Sequence, residues 1–195
     1  MNFENDFILE TDRALLRPMT LGDFDDLWKA THQNPDLLQY SPSLIHTPET
    51  LRVYMEKAIQ ARKEETRYAF VIFDKKVEAL AGSTSIWQFS QRDERLEIGH
   101  TWIGDAFQGT GLNRHCKFLL LRFAFETLKY KRVEFKTDAL NVQSRKAMAK
   151  IGAIEEGILR SHMLMSDGVR RRDTVYLSIL TGEWDNMKSS FFQTI

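Results

Sequence analysis

The sequence predicts a mixed α/β fold built on one sheet that has both antiparallel and parallel neighbours, and not a doubly wound parallel one. Three observations carry this expectation. Strand-like and helix-like segments follow in the order strand, helix, helix, three strands, helix, strand, helix, strand pair. The three consecutive strands are joined by short turns, which favours an antiparallel meander. The stretch 96–138 reads strand–helix–strand, which favours one parallel crossover of right-handed sense.

Arg13, Leu15, Leu16 and Arg17 form a first strand that Pro18 closes. Thr20 offers a helix N-cap, Asp23 complements the dipole, and Leu21, Phe24, Leu27 and Trp28 recur at helical spacing. Asn34-Pro35 and Ser41-Pro42 mark loops, after which Pro48 starts a second helix with Leu51, Tyr54, Met55, Ala58 and Ile59 as its apolar stripe. Residues 68–73 are aromatic and β-branched, Asp74-Lys75-Lys76 is a charged turn, and residues 80–89 return as a strand interrupted by Gly82. Residues 96–103 alternate, so Leu96, Ile98, His100 and Trp102 are expected on one face and Glu97, Gly99, Thr101 and Ile103 on the other. A loop over 104–111 precedes a helix of about five turns carrying Leu112, Cys116, Leu119, Leu120, Phe123, Ala124 and Leu128. Residues 132–138 are a strand, Asn141 caps a helix with Ala147, Met148 and Ile151, and Gly152 ends it. Residues 154–165 and 169–180 flank Ser166-Asp167-Gly168 as a hairpin, and a short helix over 183–192 follows.

The chain has 195 residues, 43% hydrophobic and 28% charged, with a formal net charge of zero. That is ordinary globular composition, and the expectation is one domain over 1–195. No stretch concentrates Lys and Arg with interleaved aromatics, so no nucleic-acid surface is expected. Arg170, Arg171 and Arg172 are followed at once by Asp173 and read as a solvated hairpin. A single cysteine, Cys116, excludes an internal disulfide. Residues 1–10 hold Glu4, Asp6 and Glu10 without the basic start and apolar run of a signal peptide, and no apolar stretch approaches the ~20 residues of a membrane span. A cytoplasmic protein without membrane contact is expected, and a homodimer is compatible with this reading.

Gln108, Gly109, Thr110, Gly111, Leu112 and Asn113 lie between a strand and a long helix. Two glycines allow close approach and positive φ, and the free N–H groups of a first helical turn attract anions. No Gly-Lys-Ser/Thr follows, and Gly-x-Gly-x-x-Gly is absent, so the loop is neither a P-loop nor a dinucleotide fingerprint.

This loop resembles the pyrophosphate-binding signature of the GCN5-related N-acetyltransferases (GNAT), Gln/Arg-x-x-Gly-x-Gly/Ala. Residues 96–103, read Leu-Glu-Ile-Gly-His-Thr-Trp-Ile, resemble the preceding strand in the RimJ/RimL branch, the ribosomal-protein N-acetyltransferases and their relatives. Asn141-x-x-Ser144 with Lys150-Ile151-Gly152-Ala153 resembles its next helix, and residues 156–160, the pair Arg172-Asp173 and the opening Leu15-Leu16-Arg17-Pro18 with Asp23 also fit. The similarity runs from about Asp12 to Trp184. One departure stands out: Asn113 occupies a position where the signature has Gly or Ala, so its side chain either crowds the phosphates or adds a hydrogen bond.

The resemblance implies a largely antiparallel sheet with splayed central strands, and acetyl-CoA as co-substrate. It implies that Trp102, Ile103 and Gly104 offer backbone groups to the coenzyme, that residues 108–113 wrap the pyrophosphate, and that Asn141 reaches the pantetheine arm. Acetyl transfer to an amine requires a placed thioester, a base for the ammonium and an acid for the thiolate. Glu97, on the strand leading to the loop, is the candidate base; its plain alternative is a strand surface charge. Ser144 is the candidate acid by resemblance; its plain alternative is a serine of a first helical turn, as Asn141's is a simple cap. His100 is expected on the opposite face, and His162 could line the acceptor side. Cys116 falls on an apolar stripe and reads as core. No metal site is expected, because no His, Cys and Asp residues have ligand spacing. The acceptor is a primary amine, either a protein N-terminus or a small molecule such as an amino acid, polyamine or drug. A coenzyme-binding regulatory module without turnover is the reading from another class.

Overall fold

A computed structural model describes residues 1–195. Eight strands occur in the chain: β1 (Leu9–Glu10), β2 (Ala14–Pro18), β3 (Arg67–Asp74), β4 (Ala79–Ser90), β5 (Arg95–Ile103), β6 (Arg132–Asp138), β7 (Ile154–Leu164) and β8 (Arg171–Leu180). They form one sheet in the order β1-β2-β3-β4-β5-β6-β8-β7, antiparallel throughout except where β5 meets β6. The helices are α1 (Phe24–Thr31), α2 (Pro48–Lys63), α3 (Leu112–Arg122), α4 (Val142–Ala149) and α5 (Trp184–Phe191). No helix is long and apolar enough to cross a membrane.

Alternation along the strands divides the interior in two. In β3, Tyr68, Phe70 and Ile72 join a core that includes Cys116, Leu119 and Leu120 of α3 and Trp184 of α5. Ala69 and Val71 point the other way, against Leu27 of α1 and Leu51, Met55 and Ala58 of α2. Helices therefore cover both faces of the sheet. The start of α2 is fixed by reciprocal hydrogen bonds: Thr50 N–H donates to Thr47 Oγ1 at 3.2 Å and Thr47 N–H to Thr50 Oγ1 at 3.0 Å, with Pro48 at the first helical position. Thr20 caps a 3₁₀ turn, Leu21–Asp23, and not α1 itself, which begins at Phe24. α3 gives way to a π turn at Phe123–Thr127, so the long helix is not regular to its end.

The Arg170–Arg172 cluster is not solvated throughout: Arg172 is buried, and Arg170 pairs with buried Asp138 at 2.7 Å. Three expectations about the strands also need correction. First, β1 is an additional short strand. Second, the turn between β7 and β8 is longer than Ser166-Asp167-Gly168: the strands stop at Leu164 and resume at Arg171, and the Asp167 carboxylate accepts from the N–H groups of Val169 and Arg170, each at 2.9 Å. Third, the alternation of β5 does not run its length. Ser85 pairs with Gly99 and Ser83 with Trp102, so His100 and Thr101 stand opposite the single residue Thr84. This is a β-bulge, and His100 adopts a φ of +50° within it. One inserted residue exchanges the two faces. Leu96, Ile98 and Ile103 accordingly share one core, whereas Trp102 lies in the other, against Tyr54.

Candidate active site

β5 and β6 pair only at their first three residues, Arg95–Arg132, Leu96–Val133 and Glu97–Glu134. Beyond Glu97 they diverge, and a cleft of about 880 Å³ opens between them. The bulge and the loop after it form one wall. Residues of α3 and α4, the 37–43 loop, and His162, Met163 and Arg172 of the β7–β8 pair complete its lining.

The glycine loop is shaped from within. Gln108 holds it by donating its side-chain amide to Ile103 O at 2.9 Å and Asp105 Oδ1 at 3.0 Å, while accepting from Gln143 Nε2 at 3.0 Å. Its backbone N–H is used as well, toward Asp105 O at 3.1 Å. Gly104 donates to Ala81 O at 2.8 Å, and a Cβ there would stand 2.3 Å from Ala30 O, so this glycine is required by close packing on α1. Gly109 and Gly111 differ: their φ angles are +72° and +90°, and a Cβ at either would meet nothing within 4 Å. They serve conformation and leave the surface open. The N–H groups of Gly109, Thr110, Gly111, Leu112 and Asn113 reach no backbone carbonyl; Leu112 makes one long contact with Thr110 Oγ1 at 3.4 Å. Five N–H donors at the head of α3 are thus left without a backbone acceptor, a setting that suits an anion. Asn113 lines the cleft, and its Oδ1 is buried without a partner.

At the point of divergence Glu97 is 2% exposed and forms an ion pair with Lys136 Nζ at 2.8 Å. Burial pushes its carboxyl above the usual range, against the pull of Lys136 and of the Trp87 indole. For Lys136 burial opposes the charge, but bonding and charge pairing with Glu97 outweigh it and raise its pKa. The ammonium also lies 4.8 Å from the Tyr176 ring centroid. Gly99 makes room for this cluster, since a Cβ there would be 2.8 Å from Trp87 Nε1 and 3.1 Å from Glu97 Oε1.

The bulge brings His100 to the cleft, contrary to the face expected for it. Its ring meets Trp87 edge-on at 4.7 Å, and burial, with Arg67 nearby, pushes its pKa down to about 3. Asn141 Oδ1 accepts the N–H of Ser144 at 2.9 Å, capping α4, and both residues also line the cleft. Lys117 is buried in the lining of the cleft, donates to Thr101 Oγ1 at 3.1 Å, and has its pKa pushed down to about 8 by burial. Cys116 is wholly buried and its thiol is pushed up to about 12. No cluster of His, Cys, Asp or Glu has the geometry to hold a metal ion.

The cleft thus gathers Glu97, Trp102, Ile103, residues 108, 109, 111 and 113, Asn141 and Ser144; Gly104, Thr110 and Leu112 flank it. Sequence reasoning missed Trp87, Lys136, Tyr176 and Lys117. Alternation in β6 would have placed Lys136 on Glu134's face, and the parallel register Glu97–Glu134 then puts it beside Glu97.

Residues 13–154 match the acetyltransferase (GNAT) domain family. YdaF of Bacillus subtilis (strain 168), which carries a provisional ribosomal N-acetyltransferase name, is 33% identical over 110 residues, 56% of this chain. That alignment spans 58% of YdaF's own length. A GCN5-related N-acetyltransferase from Brucella melitensis superposes with a TM-score of 0.88 at 25% identity, over 97% of this chain and 85% of that one. A protein from T. thermophilus, provisionally described as an acetyltransferase, gives a TM-score of 0.86 at 30% identity over 96% of both chains.

Proposed function

The chain belongs to the GNAT acetyltransferase family, and on that footing we propose that it transfers an acetyl group from acetyl-CoA to a primary amine by direct attack in a ternary complex. One observation carries the reading: the cleft between β5 and β6 leads to five N–H groups at the head of α3 that no backbone carbonyl uses. A pyrophosphate fits those donors, and the Asn113 side chain, whose Oδ1 has no partner, lies beside them. Lys146 and Lys150 line the same end of the cleft and suit the coenzyme's remaining phosphate.

The coenzyme brings the activated thioester; the chain's side chains manage orientation and protons. Beyond Glu97, β5 has no partner strand on its cleft side, so backbone groups near Trp102 and Ile103 are available to align the pantetheine arm, with Asn141 opposite. Glu97, directly or through a water, accepts the proton that the attacking amine loses as the C–N bond forms and the C–S bond breaks. Ser144 passes a proton to the departing thiolate and is reprotonated through water by the proton that Glu97 took from the amine. Cys116 takes no part, because its thiol is protonated and enclosed. Gly104 helps through packing on α1, since its N–H is already engaged. The ribosomal N-acetyltransferase name of YdaF favours a ribosomal acceptor. Thiol release from acetyl-CoA by pure protein, screened over N-terminal peptides and small amines with Glu97→Gln as control, tests the proposal; release equal in both proteins would refute the role of Glu97, and no release with any amine would refute transferase activity.

A further inference from the structure

The charges around the cleft are unevenly matched. Six cationic side chains line it, Arg114, Lys117, Lys136, Lys146, Lys150 and Arg172, against one carboxylate, Glu97. Phosphates account for the excess near α3 and α4. They leave Arg172 to be explained: it lies on β8 opposite Met163 of β7 and against the 37–43 loop, through Tyr40 O. Arg172 is 7% exposed. Its Nε donates to Thr174 Oγ1 at 3.1 Å and its Nη1 makes a long contact with Tyr40 O at 3.4 Å; both acceptors are neutral. No carboxylate lies within ion-pair distance of it. The two acids that act on it from farther away are already engaged, Asp138 with Arg170 at 2.7 Å and Glu97 with Lys136 at 2.8 Å. Asp173, next in sequence, turns outward and accepts from Ser161 N–H. A buried guanidinium held only by neutral acceptors lacks the bidentate partner its geometry fits, and it retains donors toward the cleft.

We propose that Arg172 is the anion subsite of the acceptor, so that the amine acetylated here carries a carboxylate or other acidic group near its amino group. The inference rests on the acetyltransferase reading and adds the substrate class. Its converse follows from the same lining. No acidic side chain other than the paired Glu97 faces the acceptor, so polyamines and other polycations find no free counter-charge and meet Arg172 instead. Two sources present this chemistry: the α-carboxylate of a free amino acid, and an acidic side chain at the second position of a peptide.

Matched acceptors distinguish them. One arm compares serine with serinamide, the other Ser-Asp-Ala-amide with Ser-Asn-Ala-amide, and spermidine is the polycation. Thiol release from acetyl-CoA is measured with wild type, Arg172→Gln and Arg172→Lys. In one arm the acid-bearing member should exceed its amide by about tenfold or more in kcat/KM, and that arm names the source. Spermidine should be the slowest. Arg172→Gln should lower the acidic member roughly 10–100-fold and leave the neutral one within about threefold, with Arg172→Lys between. Equal rates for acid and amide in both arms, preference for spermidine, or an equal fall on acidic and neutral members in Arg172→Gln would overturn the proposal. If Arg172→Gln does not fold, the wild-type comparison still decides. A protein that melts higher with acetyl-CoA yet acetylates no member also refutes the subsite while the coenzyme reading stands; no rise in melting temperature refutes the coenzyme reading itself.

Discussion

Glu97→Gln keeps the shape of the side chain and removes its charge, which separates two effects that the structure joins in one carboxylate. As a general base Glu97 is expected to supply about 10²–10⁴-fold in rate, so turnover at pH 7 should fall within that range. The same change leaves Lys136 without its ion-pair partner. Removing one member of a fully buried pair costs about 3–5 kcal/mol. The Lys136 side chain is 15% exposed and keeps the Tyr176 ring, and glutamine can still accept a hydrogen bond. The expected loss is therefore smaller, about 2 kcal/mol, or a melting temperature lower by roughly 4–8 °C. The pH dependence has a defined sign. The folded-state pKa of Glu97 is raised, so its contribution favours the fold below the ordinary carboxylate range and is lost as pH climbs through the raised value. The substitution removes that component. The rate defect should also shrink as pH passes the acceptor's own pKa, near ~8 for an α-amine, because free amine needs no base. Initial rates by thiol release from about pH 6 to 9, with thermal melts on the same samples, measure both. Full activity at pH 7, or a defect that does not change across this range, would remove Glu97 from the proton path and leave it a partner for Lys136.

Three further outcomes follow from the packing and charges described above. Cys116→Ala should retain most activity with a stability loss of about 1 kcal/mol, and the native thiol should resist an aromatic disulfide reagent until the protein unfolds; ready labelling of the folded protein, or an acetylated Cys116 by mass spectrometry, would contradict this. Asp23 is held by Arg17 at 3.0 Å and by Thr20 N–H at 2.8 Å, which overcome its burial and depress its pKa, so its stabilisation is present above the ordinary value of 3.8 and lost as pH falls through the depressed one; denaturant titrations should show Asp23→Asn less stable at pH 7, with the gap closing only as pH falls below 3.8. Gly104→Ala places a methyl 2.3 Å from Ala30 O and should cost about 1–3 kcal/mol by displacing α1, which a melt will register; an unchanged melting temperature would show that α1 yields freely.

Much of the architecture is local and was legible. Pro48, the Thr47–Thr50 pair, the aromatic run of β3 and the α3 stripe all encode their elements within a few residues. The loop with Gly109 and Gly111 could be read because positive φ and free N–H groups are properties of the backbone at those positions. The bulge at His100 was not legible: nothing in the alternating sequence announces an extra residue, which is fixed by the partner Thr84 and by the departure of β5 from β6. It misassigned the faces of Trp102 and His100. Lys136, Trp87 and Tyr176 were missed for a related reason. They come from three strands, and only the register brings them to Glu97. The Gln108 side chain also proved to brace its own loop, a role that motif matching does not distinguish from ligand contact.

The claim that this cleft binds acetyl-CoA through the head of α3 is tested most directly by the melting temperature of wild type and Gly111→Val with acetyl-CoA. Saturation at about 100 times Kd stabilises a selective binder by about 2.7 kcal/mol, which is roughly 5–10 °C for a chain of this size. Gly111 sits at φ +90° with nothing within 4 Å of an added Cβ, so valine strains the loop at an open position, and a far-UV spectrum checks that the variant is folded. The account predicts a clear rise for wild type and none for a folded Gly111→Val. No rise in wild type at millimolar acetyl-CoA, or an equal rise in both, would contradict it.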